Sequence, residues 1–258
     1  MSILDQIVQT KKEEIKTAKR QAPIEALTDR PIFNQSRPDF IQRLKETPYS
    51  IIAEFKRRSP SKQDINVKAQ VSEVVPAYAS AGAACVSVLT DTLYFGGSLQ
   101  DLEEAFAYGI PLLRKDFILD EYQIYEAKAY GASAVLLIAN ILSKSQVANL
   151  ASCAHHLGLS VLLEFYGGED FDKYHQQIEL VGINNRNLNT FQVDYQHAIK
   201  MRAALPEGVI SVAESAIYSP DIYRELKDNG FDAFLMGEYF MKAQQPGEAL
   251  AQFISEIK

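Results

Sequence analysis

The stretch PLLRKDFILDEYQIYEAKAYGASAVLLIAN, residues 111–140, decides how this chain folds. PLLRKDF at its start and AVLLIAN at its end are apolar runs of strand length. Between them, DEYQIYEAKAYG opens on an acidic N-cap and stops at Gly131, as a helix does. Strand, helix, strand in about 30 residues is one βαβ unit. Two strands joined by a helical crossover run parallel.

The same unit repeats in both directions. Apolar runs recur at SIIAEFK (50–56), CVSVLT (85–90), PLLRKDF (111–117), AVLLIAN (134–140), SVLLEFY (160–166), LVGINNRNL (180–188), VISVAES (209–215) and AFLMGEY (233–239). They are spaced roughly 20 to 35 residues apart, the span of a βα unit. Helical segments fill the gaps. SLQDLEEAFAYG repeats Leu99, Leu102, Ala105 and Phe106 at helical spacing before Gly109. Another helix begins at Ser143 or Ser145 and ends at Gly158, and a later one starts at SPD (219–221) and ends at Gly230. Strict alternation implies a parallel sheet, and eight units imply an α/β fold closed as a (β/α)8 TIM barrel. An open doubly wound sheet is the competing topology, but no G-x-G-x-x-G follows the first strand.

Residues 1–258 read as one barrel domain, with residues 1–48 as an N-terminal helical extension. Residues 2–21 carry helical spacing at Ile3, Ile7 and Ile15. The run KKEE within them reads as a solvated helix face. The extension is expected to pack across the barrel mouth and cover ligand.

Composition narrows the function. Hydrophobic residues make up 47% and charged residues 23%, with a net charge of −7. That balance argues against nucleic-acid or anionic-membrane partners, but leaves room for a local anion site. Cys85 and Cys153 sit in strand-like and helix-like contexts, which fits free thiols in a reducing compartment. The N-terminus lacks the apolar run of a signal peptide, and ASAVLLIANIL is too short to span a bilayer. A cytoplasmic location is expected.

Barrels of this kind work at the C-terminal ends of their strands. In IIAEFKRRSPS (51–61), side-chain alternation puts Ile52, Glu54 and Lys56 on one face. The other strand ends add Lys115, Glu164, Asn184, Arg186, Glu214 and Ser215. A single charge at a barrel rim is often only an ion-pair partner. So many together are poorly explained by stability, since buried ion pairs add little to it. His155, His156, His175 and His197 fall in helical segments away from the strand ends, which disfavours a Ser-His-Asp triad or a histidine-bound zinc. The interleaved lysines likewise disfavour Mg²⁺ on the carboxylates. What remains is acid–base chemistry, free of metal and cofactor, on an anionic substrate. Its phosphate is expected near strands seven and eight, at Ser215, Ala216, Gly237 and Glu238, with Ser59 nearby.

In order, AEFKRRSPS, SVLTD, LLRKDFILDEYQIYEAKAYGASAVLLI, LLE, GINNRNL, AES and LMGE resemble the indole-3-glycerol-phosphate synthase family over nearly the whole chain. RKDFI with DEYQI, and GINNRNL, carry most of the specificity. The resemblance implies tryptophan biosynthesis and the substrate 1-(2-carboxyphenylamino)-1-deoxyribulose 5-phosphate. It implies ring closure, loss of CO2 and dehydration, with other tryptophan-pathway enzymes as candidate partners. By the same resemblance the catalytic set is Lys115 (general acid), Glu164, Glu54, Lys56, Asn184 and Ser215. The binding set is Arg186, Glu214, Ser59, Pro60, Phe95, Phe117, Leu188, Ala216, Gly237 and Glu238, with no metal ligand. Pro60, Phe95, Phe117 and Leu188 match the aromatic pocket. Phe117 is expected to exclude water and lower the pKa of Lys115.

The chain departs from the family pattern at Gln63 and Ala216, where glycine is usual, at Glu238-Tyr239, and in EFYGG (164–168). Ala216 is harmless if its φ is negative and disturbs phosphate binding if it is positive. Two other readings compete. A related phosphoribosylanthranilate isomerase would carry Cys at the end of strand one and Asp on strand six, where this chain has Glu54, Lys56 and Asn184. A non-catalytic or altered-specificity phosphosugar-binding paralogue would bind without turnover.

Overall fold

The computed structural model describes residues 2–186 and 192–258. Eight parallel strands close into a barrel in sequence order: β1 (Ile51–Phe55), β2 (Cys85–Leu89), β3 (Leu112–Lys115), β4 (Ala134–Ile138), β5 (Ser160–Phe165), β6 (Leu180–Asn184), β7 (Ile210–Glu214) and β8 (Ala233–Met236). Closure pairs β8 with β1, Leu235 opposite Ile52, and leaves no sheet edge.

The helices are α1 (Ile3–Gln21), α2 (Ile24–Thr28), α3 (Phe40–Glu46), α4 (Val71–Ala81), α5 (Thr92–Phe95), α6 (Leu99–Phe106), α7 (Glu121–Ala129), α8 (Lys144–His156), α9 (Tyr195–Arg202), α10 (Pro220–Asp228), α11 (Glu238–Met241) and α12 (Pro246–Ile257). Their ends follow the sequence signals. Asp120 and Ser143 each close a capping box, and Ser219 caps α10 with Pro220 behind it. After β5 a 3-10 segment, Gly168–Lys173, takes the place of a regular helix. There the buried Asp170 carboxylate accepts from the N–H groups of Tyr166 and Gly167. His175 therefore lies in a loop, not in the helix expected for it.

Alternation along each strand divides the core in two. Ile51, Ala53 and Phe55 face outward to the helices, with Val86, Val88, Leu112 and Val135. Ile52, Leu113, Leu136, Leu162, Leu180, Val212 and Leu235 fill the barrel interior. The N-terminal segment serves both barrel ends. Leu4 and Ile7 of α1 meet Phe117 and Ile138 at the mouth. In α3, Phe40, Ile41 and Leu44 join the inner core at the opposite end, where the Cys85 thiol, at the start of β2, donates to the Phe40 carbonyl at 3.7 Å.

Candidate active site

The inward positions at the C-terminal ends of β1, β3, β5, β6 and β7 are polar, and they converge. Glu54 of β1, Glu164 of β5, Asn184 of β6 and Glu214 of β7 are all buried. Lys115, the last residue of β3, sets its Nζ 3.1 Å from Glu164 Oε2 and 3.6 Å from Glu214 Oε2. Asn184 Nδ2 donates to the other Glu164 oxygen at 3.2 Å, while its own Oδ1 accepts the Arg186 N–H at 2.9 Å. Lys56 pairs with Glu54 at 2.5 Å. One wall is aromatic: the Phe95 and Phe117 rings lie 5.9 Å apart and line the cavity with Pro60.

These contacts separate the protonation states. Burial alone would push the Lys115 ammonium down, but Glu164, Glu214 and Glu54 surround it and raise it above the ordinary lysine value. The expectation that Phe117 would lower it is thus corrected, because three carboxylates outweigh desolvation. Glu214 moves the other way from an ordinary glutamate. Burial and the charge of Glu164 raise it well above the carboxylate range, and Lys115 offsets only part of this. At neutral pH the mouth therefore holds a charged ammonium beside a carboxyl group whose surroundings favour its protonated form.

The turn after β7 is strained. Ser215 and Ala216 both adopt positive φ, 67° and 57°. Asn185 holds this turn: its Nδ2 donates to the Ser215 carbonyl at 2.8 Å and its N–H to the Glu214 carbonyl at 2.9 Å. Ala216 thus carries its methyl in the conformation that favours glycine. Gln63 is different, since it is exposed and its φ is not positive. Across the mouth, Glu238 at the start of α11 gathers cations: Lys242 at 2.5 Å, Arg186 at 3.5 Å and Lys62 at 3.6 Å. Burial opposes its ionisation, but Lys242, Arg186 and Lys62 hold it below the usual carboxylate value. Tyr239 also lines the cavity, and its ring packs on Phe240 and Phe253, with centroids 5.5 and 5.3 Å apart.

One cavity collects Lys115, Glu164, Glu54, Lys56, Asn184, Ser215, Arg186, Glu214, Ser59, Pro60, Phe95, Phe117, Ala216, Gly237 and Glu238. Leu188, expected in the aromatic pocket, lies outside the described residues. Several residues at this site were not anticipated. The Tyr218 hydroxyl accepts from Arg186 at 2.8 Å and lines the mouth. Lys11, expected on a solvated face, is buried and paired with Glu14 (2.7 Å), Asp91 (3.0 Å) and Asp116 (3.1 Å). Asp116, next to Lys115, also accepts from Thr90 at 2.6 Å, from Arg114 at 3.0 Å and from the Phe117 N–H at 2.8 Å. Asp91 and Asp116, like the Ser215 partner of Asn185, are distant in sequence; the local signal for Lys11 is its place four residues from both Ile7 and Ile15, on the apolar face of α1. His197 sends its Nε2 to the Tyr166 carbonyl at 2.9 Å, a packing contact just after β5.

The sequence profile described as indole-3-glycerol phosphate synthase matches residues 4–253. An indole-3-glycerol phosphate synthase of Bacteroides thetaiotaomicron is 43% identical over 257 residues, covering 99% of this chain and 99% of that protein. One of Salinibacter ruber is 42% identical, covering 100% of this chain and 97% of that protein. Among solved structures, the 3-hexulose-6-phosphate synthase of Salmonella typhimurium superposes with a TM-score of 0.61 at 11% identity, covering 81% of this chain and 100% of that one, a likeness of fold. The chain belongs to the indole-3-glycerol phosphate synthase family.

Proposed function

We propose that this protein is a carbon–carbon lyase, a carboxy-lyase of tryptophan biosynthesis. It converts 1-(2-carboxyphenylamino)-1-deoxyribulose 5-phosphate to indole-3-glycerol phosphate, without a cofactor, in the cytoplasm. The observation that carries this reading is the Lys115 ammonium, held 3.1 and 3.6 Å from two buried glutamates beside an aromatic wall. Among the described residues no helix is long and apolar enough to cross a membrane.

The ring carbon bearing the carboxylate attacks the ribulose C2 carbonyl. Charge develops on the carbonyl oxygen, and Lys115 supplies the proton that quenches it. The C–CO2 bond then breaks, and its electron pair restores the aromatic ring. Dehydration follows: an acid protonates the C2 hydroxyl as it leaves, and a base removes a proton as the indole forms. Glu214, whose burial and neighbour Glu164 favour the protonated form, suits the acid, and Glu164 suits the base. Lys56 and Glu54 orient the chain of the sugar, and Arg186 with Asn184 receives the anthranilate carboxylate. Pro60, Phe95 and Phe117 pack on the ring. The phosphate is received by backbone N–H groups around Ser215, Ala216, Gly237 and Glu238, with Ser59 beside them. α1 covers the bound substrate, with Ile3, Leu4 and Ile7 on the cavity.

Incubating the purified protein with the synthetic carboxyphenylamino-deoxyribulose phosphate tests this. Equal amounts of CO2 and indoleglycerol phosphate are expected. Binding of a reduced substrate analogue with no indole formed would point instead to the non-catalytic paralogue.

A further inference from the structure

Glu214 can lie where it does only because Gly182 has no side chain. Gly182 faces into the barrel on β6, two residues before Asn184, and stands in register with Glu164 of β5 on one side and Val212 of β7 on the other. A Cβ at Gly182 would meet Glu214 Oε1 at 1.9 Å and its Cδ at 3.0 Å, with Leu162 Cδ1 next at 3.3 Å. The backbone does not call for glycine there, since its φ is not in the left-handed region. Glycine weakens a strand interior, and barrel interiors favour bulky branched residues. Its presence at this level therefore has another cause.

We propose that Gly182 is a positioning residue for Glu214: the bare inward face of β6 is the slot that seats the carboxyl group beside Glu164 and Lys115. The groups facing Glu214 are Lys115 from β3, Glu164 from β5 and Glu54 from β1. Its Oε1 has no hydrogen-bond partner among the described residues, and the bare Gly182 backbone bounds its position. A methyl at Gly182 would push the carboxyl group out of the layer. That would change its distance to Lys115 and its burial. A like relation recurs between β8 and β1. A Cβ at Gly237, just past β8, would meet Glu54 Oε1 at 2.6 Å and Glu54 Cβ at 2.8 Å.

This role for Gly182 rests on the reading of the mouth as a reaction site, but stability reports on it without turnover. Thermal melts of the full chain, Gly182→Ala, Glu214→Ala and the double variant form the test. In the wild-type background Gly182→Ala should lower Tm by about 5 °C or more, the scale of overpacking in a domain of this size. In the Glu214→Ala background it should lower Tm by less than about 2 °C, because the colliding atom is gone. Equal losses in both backgrounds overturn the proposal. If Gly182→Ala does not fold, recovery in the Glu214→Ala background supports it and failure in both overturns it. For a folded Gly182→Ala, kcat should fall about 100-fold with KM within threefold, and the alkaline limb of the kcat profile should shift. Unchanged kcat with an unchanged limb contradicts the role. A wild-type protein that forms no indole product refutes the assigned reaction alone, and the melts still decide the fit of Glu214 on Gly182.

Discussion

At Ala216 the backbone and the side chain disagree. A non-glycine residue at φ 57° costs about 1–2 kcal/mol over glycine, and Ser215 before it is also left-handed. Ala216→Gly should therefore raise stability by about 1 kcal/mol, seen as a higher Tm in a thermal melt, and lower KM for the phosphorylated substrate. An unchanged Tm would mean the turn is not strained. Glu214 gives a pH signature. Its folded pKa is raised, so its contribution is fully present below the ordinary glutamate value and is lost as pH rises through the folded value. Glu214→Gln, which cannot ionise, should lose less stability than the wild type over that rise when Tm is followed against pH. Alternation and polarity at strand ends made Glu54, Lys115, Glu164, Asn184 and Glu214 legible in the sequence. Asn185 and Gly182 were not, because one acts by clamping a turn and the other by what it lacks. Nor was the sign of the Lys115 shift, which depends on three carboxylates brought together only by closure.

At the level of elements, α1 is tied to the barrel by a buried charge. Lys11 reaches Asp91 at the end of β2 and Asp116 at the end of β3. Lys11→Met would leave those carboxylates short of a partner in a buried setting, at a cost of about 3 kcal/mol. Amide exchange should then speed up across α1 while the strands stay protected, and KM should rise as Ile3, Leu4 and Ile7 leave the cavity. Unaltered exchange in α1 would show that apolar packing alone docks it. Burial opposes ionisation of Asp116, but Arg114, Lys11 and the Thr90 hydroxyl depress it below the usual aspartate value. Its contribution is therefore present above the ordinary aspartate pKa and is lost as pH falls toward the lower folded value. Wild-type α1 should lose exchange protection below pH about 4, a change that Lys11→Met should blunt. KKEE reads locally as a polar helix face, but Lys11 falls four residues from both Ile7 and Ile15, on the stripe that α1 buries. Helix boundaries were legible wherever a cap or a stop residue marks them, as at Asp120, Ser143 and Ser219. The strands end earlier than their apolar runs: β3 stops at Lys115 and β6 at Asn184. The residues beyond them, such as Phe117 and Arg186, belong to the mouth.

For the whole molecule, eight βα units left few options besides a closed barrel. The alternation that fills its inner core also carries the polar layer to its mouth. Less visible in the sequence was the plug at the opposite end, where Phe40, Ile41 and Leu44 of α3 seal the inner core. An apolar segment before the first strand does not announce which end it covers. The net charge of −7 also hides a mouth rich in cations, since Lys56 and Lys115 pair with buried glutamates and Lys62, Arg186 and Lys242 gather on the half-buried Glu238. Ring closure depends most on Lys115 as its acid. Lys115→Met should reduce kcat by about 10³-fold or more, the range of a positioned acid. Calorimetry with a reduced substrate analogue should still find binding within threefold of wild type. Lys115→Met that binds the analogue and retains full turnover would contradict the account.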